Sequence, residues 1–184
     1  MRILAVVGSP RRGGNTEILV DEVLRGARDA GGLVEKVFLN DLDIKPCQAE
    51  CSDHCRKVGE CKIHDEMQPL YNKIYNSDVI ILGTPLYWYG PSAQLKTFID
   101  RWYAFSHPEH IGRVKGKKVI LISTFEESNT SAADPLISMI SKSLDYLEAK
   151  FHAKLLVSAG EKGAVKQNRR AMAEAYKIGF ELRN

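Results

Sequence analysis

Ile3-Leu4-Ala5-Val6-Val7-Gly8-Ser9-Pro10-Arg11-Arg12-Gly13-Gly14-Asn15-Thr16 is the stretch on which the fold turns. Its apolar opening, Ile3 through Val7, has no polar alternation, as a strand buried on both faces requires. A glycine-rich turn follows at once. Then comes a helix over residues 15–30, where Leu19, Val23 and Ala27 recur every four residues until Gly31-Gly32 stop it. The same unit repeats down the chain. Residues 33–39 read as a second strand, 65–76 as a helix striped by Met67, Leu70, Tyr71 and Ile74, and 78–83 as the most apolar strand. A helix over 91–105 opens on Pro91 and lines up Leu95, Phe98, Ile99 and Trp102. A strand at 118–123, a helix opened by Asp134-Pro135, a strand at 154–159 and a helix over 164–180 complete the series. Repeated βα units imply a parallel sheet with helices on both faces, because right-handed crossovers place them there. The expected architecture is a doubly wound five-stranded α/β/α sandwich in the order 2-1-3-4-5, one domain over residues 1–184. Its switch point lies at the carboxyl ends of strands 1 and 3.

Composition narrows the function classes. A chain of 184 residues suits one domain with a full core. No apolar run approaches the roughly 20 residues that span a bilayer, and the apolar N-terminus reads as a strand rather than a signal peptide, so a cytoplasmic protein without a membrane partner is expected. The net charge is +3, but the basic residues gather on no one face, which argues against a nucleic-acid partner.

Two loops carry the chemistry. In the first, the glycines let backbone N–H groups turn inward, and the helix start adds unpaired donors and a positive dipole end. Ser9, Asn15 and Thr16 offer hydrogen bonds, and Arg11 or Arg12 offers charge, so a terminal phosphate fits. Neither G-x-x-x-x-G-K-[ST] nor G-x-G-x-x-G is present, so the loop is neither an ATP-type P-loop nor a dinucleotide fingerprint. The second loop, Gly83-Thr84-Pro85-Leu86-Tyr87-Trp88-Tyr89-Gly90-Pro91, puts three consecutive aromatics after the most buried strand. A surface cluster or subunit contact is the plain reading; a platform for a flat ring is the sharper one. Phosphate donors beside an aromatic wall describe the two ends of FMN.

Here the sequence resembles a family. Gly8-Ser9-Pro10-Arg11 with Asn15-Thr16 is similar to the phosphate motif of the NAD(P)H-dependent FMN reductases and multimeric flavodoxin-like proteins. Thr84-Pro85-Leu86-Tyr87 and Gln94-Leu95-Lys96-Thr97-Phe98-Ile99-Asp100-Arg101 resemble that family's flavin loop and following helix. The resemblance covers roughly residues 1–102. It implies a flavodoxin-like fold and bound FMN. It also implies electron transfer from NAD(P)H or a small ferredoxin-like carrier to a quinone, flavin, aromatic or protein acceptor, and assembly into homodimers or homotetramers. By position, Ser9, Arg11, Asn15 and Thr16 hold the phosphate, and Pro85, Leu86, Tyr87 and Trp88 contact the isoalloxazine. A backbone amide between Thr84 and Trp88 is expected near the flavin N5. The family's third flavin-side loop is often glycine-rich; here it reads Ser123-Thr124-Phe125-Glu126-Glu127-Ser128-Asn129. Thr124 is its candidate flavin contact, and its two carboxylates are placed to shape what approaches the ring.

All four cysteines fall in a segment without helical or strand period, residues 40–62, spaced Cys47-x₃-Cys51-x₃-Cys55-x₅-Cys61. Clustered thiols in an intracellular chain point to a metal or redox site rather than a disulfide scaffold. Pro46-Cys47 through Gly59-Glu60-Cys61, with Asp65-Glu66-Met67, looks like the iron–sulfur flavoprotein branch of the family, whose cysteine run is tighter in its first two intervals. If 47–55 were helical, three thiols would form a stripe, a poorer cage than a tight loop. His54 and His64 add nitrogen ligands for zinc. A [4Fe–4S] cluster, zinc and no metal all stay open.

The rival functions are a non-enzymatic flavodoxin-type electron carrier and a flavin-free nucleotide or metal module. A cysteine phosphatase is excluded, since Cys51 and Arg56 are one residue short of C-x₅-R. His107 and His110 are expected to be solvated, and Asp100 and Arg101 to be a structural or intersubunit ion pair.

Overall fold

The computed structural model describes residues 1–49 and 53–183. The strands are β1 (Arg2–Val7), β2 (Leu33–Phe38), β3 (Val79–Pro85), β4 (Lys118–Phe125) and β5 (Lys150–Ser158). The helices are α1 (Asn15–Asp29), α2 (His54–Val58), α3 (Gln68–Asn76), α4 (Ala93–Asp100), α5 (Pro108–Ile111), α6 (Asp134–Tyr146) and α7 (Arg169–Phe180). The five strands are parallel and run β2-β1-β3-β4-β5, the flavodoxin-like order expected from the sequence.

Strand pleating divides the core in two. Ile3, Ala5 and Val7 of β1 join Ile81 and Ile122 in packing on α1 and α7. Leu4 and Val6 join Leu82 and Leu121 in packing on α3, α4 and α6. Both faces are covered, which is why the inner strands read as unbroken apolar runs. α1 and α7 pack backbone to backbone. A Cβ on Gly26 would lie 2.1 Å from the Tyr176 carbonyl oxygen, and one on Gly179 would lie 1.9 Å from that of Val23. Among the described residues, no helix is long and apolar enough to cross a membrane.

Several boundaries differ from expectation, each for a local reason. β5 begins at Lys150, four residues earlier than 154, because it is an edge strand whose outward Lys150, His152 and Lys154 are exposed and disguise the pattern. The helix expected over 91–105 starts only at Ala93, where Ser92 Oγ accepts from Leu95 N, and ends at Asp100. The chain then tightens into a 3₁₀ turn, Arg101–Ser106. The helix expected over 164–180 is a 3₁₀ turn, Ala164–Gln167, and then α7, which Asn168 caps through Ala171 N. The segment 40–62 is not featureless, since α2 lies within it; Cys47 sits in irregular chain and Cys55 in α2, so no helical thiol stripe forms.

The contact between α1 and α7 cannot yield without moving main chain. Gly179→Ala is therefore expected to lower stability by at least about 1–3 kcal/mol, read as a fall in the urea midpoint followed by circular dichroism.

Candidate functional site

The groove is built where β1 and β3 end side by side. Gly8 N donates to Gly83 O at 2.7 Å, carrying the contact between the strands one residue past the ladder. A Cβ on Gly8 would lie 2.8 Å from both Leu95 Cβ and Ser92 Oγ, so only glycine lets the chain pass. Ser92, fully buried, ties the two loops together: its Oγ donates to Gly8 O at 2.7 Å, and its N–H donates to Thr84 Oγ1 at 2.9 Å. Beyond Gly8, Ser9 Oγ accepts from Arg11 N, and Gly14 N closes the turn on Arg11 O at 3.2 Å. No side chain caps α1. The N–H groups of its first turn are therefore left without internal partners, and Gly14, Asn15 and Thr16 line the groove.

The groove encloses about 250 Å³ and is shared by four loops. Ser9, Arg11, Asn15 and Thr16 line one end, Pro85, Leu86 and Tyr87 form a shelf, and Thr124 lies between them, its Oγ1 2.8 Å from Thr16 Oγ1. Eight of the nine expected cofactor contacts thus converge. Two sit differently from expectation. The Asn15 amide is turned inward: Nδ2 donates to Ala159 O and Glu161 O at 3.1 and 2.8 Å, and Oδ1 accepts from Val165 N at 3.2 Å. Asn15 therefore fixes the loop after β5 and offers the ligand only its main chain. Trp88 does not line the groove; it is 96% exposed. Tyr87 and Gly90 exchange N–H···O bonds of 2.9 and 3.0 Å, closing a two-residue turn that holds Trp88 and Tyr89 at φ +48° and +63° and swings them outward.

Arg11 lines the groove but Arg12 does not: its guanidinium stacks 3.5 Å over Phe38 and pairs with Asp41. The second cation is Lys162, from the loop after β5, which the sequence reading passed over. Its signal was a lysine between Gly160 and Gly163 just past a strand end. Glu126 and Glu127 also line the groove. His107 and His110 stay away from the groove, with His110 Nε2 2.9 Å from Lys57 O.

The sequence profile of the NADPH-dependent FMN reductases matches residues 1–173. The chain belongs to that family. FMN is the cofactor the family brings to this groove, and the residues fit it: an uncapped helix start with Arg11 and Lys162 for the phosphate, and an apolar shelf for the ring. The chain is 38% identical over 112 residues to an iron–sulfur flavoprotein of Methanocaldococcus jannaschii, covering 61% of this chain and 55% of that protein. It spans about half the length of the curated iron–sulfur flavoproteins it matches first. It is 25% identical over 182 residues to a Bacillus subtilis protein named as an NAD(P)H-dependent FMN-containing oxidoreductase, with 97% and 96% of the two chains covered. The fold is shared with the NAD(P)H:quinone oxidoreductase of Methanothermobacter marburgensis, at a TM-score of 0.79 and 16% identity, over 100% of this chain and 96% of that one.

A second cavity, about 350 Å³, is lined by Cys47, Cys55 and Cys61 together with Arg101 and Tyr103. Cys51 lies outside the described residues, and among those described no three His, Cys, Asp or Glu side chains form a metal-binding group. Cys47 and Cys61 are free thiols, whereas Cys55 is disulfide-bonded, and an iron–sulfur group takes its sulfur ligands as thiolates. Arg101 beside it pairs with Asp65 at 2.7 Å, both side chains being almost wholly buried, while Asp100 pairs instead with Lys96. Burial would push the Asp65 carboxyl up, but Arg101 and the N–H groups of Lys45 and Met67 outweigh it and hold it below the usual range.

Two predictions follow from these contacts. Arg11→Ala should weaken FMN binding by about 1.5–3 kcal/mol in a fluorescence titration and leave the melting temperature nearly unchanged, whereas Asn15→Ala should lower both. Asp65→Ala should cost about 3–5 kcal/mol at neutral pH, because it strands a buried guanidinium. A depressed carboxyl contributes stability above its unfolded pKa of about 4 and loses it as the pH falls through the lower folded value. The gap between wild type and variant in guanidinium melts should therefore shrink below about pH 4.

Proposed function

We propose that the protein is an FMN-dependent oxidoreductase. It takes electrons from NAD(P)H or a small ferredoxin-like carrier and delivers them to a quinone, flavin, aromatic or protein acceptor, with an iron–sulfur cluster on Cys47, Cys51, Cys55 and Cys61. One observation carries the reading: the anion-binding start of α1 and the Pro85-Leu86-Tyr87 shelf share one groove at the switch point. Bound FMN supplies the two-electron and one-electron chemistry. The chain's own residues bind and orient it. Arg11, Lys162 and the first-turn N–H groups of α1 hold the phosphate. Leu86 and Tyr87 present the apolar shelf. Within 84–88, Pro85 has no N–H, Leu86 N donates to Thr124 O at 2.9 Å and Tyr87 N donates to Gly90 O. Trp88 therefore acts through its main-chain N–H and not its ring. Glu126 and Glu127 disfavour anionic acceptors at the rim. A cytoplasmic homodimer or homotetramer is the working form we assign, in keeping with the exposed aromatics Trp88 and Tyr89 at the groove's edge.

The test is anaerobic purification followed by steady-state assay. Flavin absorbance together with NADH or NADPH oxidation that depends on added quinone supports the enzyme. Bound flavin that no nicotinamide reduces, yet exchanges electrons with a protein carrier, points to a flavodoxin-type carrier. Colourless protein that takes up no FMN overturns both.

A further inference from the structure

The shelf loop ends in a turn whose side chains oppose its backbone. Tyr87 and Gly90 close it by exchanging N–H···O bonds, and the residues between them, Trp88 and Tyr89, stand at φ +48° and +63°. A two-residue turn with both residues at positive φ selects Asn-Gly, because a larger side chain there crowds its own main chain. A bulky residue in that region is an outlier, and this turn places two in succession. The main chain is held from outside the turn. Leu86 N donates to Thr124 O at 2.9 Å on one side, and Ser92 N donates to Thr84 Oγ1 at 2.9 Å on the other.

The rings return little to the fold. Trp88 is 96% exposed and Tyr89 55%, so almost no apolar area leaves water at Trp88. Tryptophan is ordinarily among the well-buried residues. Backbone strain of this kind concentrates where a protein binds or reacts. The position in the chain says what is bound. Leu86 and Tyr87 line the flavin groove, and Trp88 comes directly after them. Glu126 and Glu127 line the same groove, and their charge turns away anions.

We propose that the Trp88 ring is a specificity-determining group for the electron acceptor. It offers a stacking face to a flat, uncharged aromatic or quinonoid molecule that approaches the flavin. This rests on the FMN reading and names the acceptor class within it. The reaction balances without a further reagent: NAD(P)H gives up a hydride, solvent gives a proton, and the quinone leaves as its hydroquinone. The indole supplies a surface only and takes neither proton nor electron.

The experiment uses the full chain loaded with FMN, as wild type, W88F and W88G. W88G removes the ring and lets the turn keep its positive φ without a Cβ. W88F keeps an aromatic face on the same backbone. Melting temperature and sedimentation mass are measured first. Calorimetry then gives the affinity of the oxidised protein for duroquinone, whose substituted ring does not add to thiols. Steady-state kinetics give kcat/KM for duroquinone relative to that for ferricyanide, which takes electrons without stacking. W88G is expected to melt no lower than wild type, to keep its mass and to bind duroquinone about tenfold more weakly, the size of one aromatic stack. Its preference for duroquinone over ferricyanide should fall about tenfold, through KM rather than kcat. W88F should recover most of both losses. Affinity and preference unchanged in W88G overturn the inference and leave the FMN reading standing. A W88G protein that sediments as a smaller species overturns it as well, since the ring is then a subunit contact. So does a W88G protein that melts well below wild type, since the ring then serves the fold. Wild-type protein that takes up no FMN overturns the FMN reading, and the inference with it.

Discussion

The site depends on how the ends of β1 and β3 are held against each other. Parallel register sets Val7 opposite Gly83, and Gly8 N reaches back to Gly83 O. Ser92, with no exposure at all, then bonds Gly8 O through its hydroxyl and Thr84 Oγ1 through its N–H. These are short bonds in a dry place, where losing one partner strands another polar group at roughly 1–3 kcal/mol each. They set the cationic end of the groove and its apolar shelf at a fixed separation. A ligand with a phosphate at one end and a ring at the other is bound only if that separation is right.

α4 links this groove to the thiol cavity. Its start is capped by Ser92, which belongs to the groove, and its end runs directly into Arg101, which closes the cysteine segment. Eight residues of helix make a strut of about 12 Å. The two sites thus lie at opposite ends of one helix.

Much of this was legible from residues alone. Period and punctuation gave the five strands and their order, because strands buried on both faces leave no ambiguity with the amphipathic helices between them. The groove's first and third loops were legible because glycine, proline and aromatic residues have few other reasons to cluster at strand ends. What stayed hidden depended on distant partners. Nothing local to Asn15 says that its amide is spent on Ala159, Glu161 and Val165, far along the chain. Nothing local to Trp88 says that the turn from Tyr87 to Gly90 throws its ring outward. Lys162 looked like an ordinary surface lysine until the loop after β5 was folded against α1. Arg101 read as a structural ion pair, but its partner Asp65 and the backbone it gathers were not in view.

The central claim is that the start of α1, with Arg11 and Lys162, is a phosphate site. Equilibrium binding of FMN against riboflavin, which differs only in that phosphate, tests it most directly. Two charged contacts at about 1.5–3 kcal/mol each should make FMN bind tighter by about two orders of magnitude or more, with the difference shrinking as salt is raised. Equal affinities for the two flavins would contradict the account.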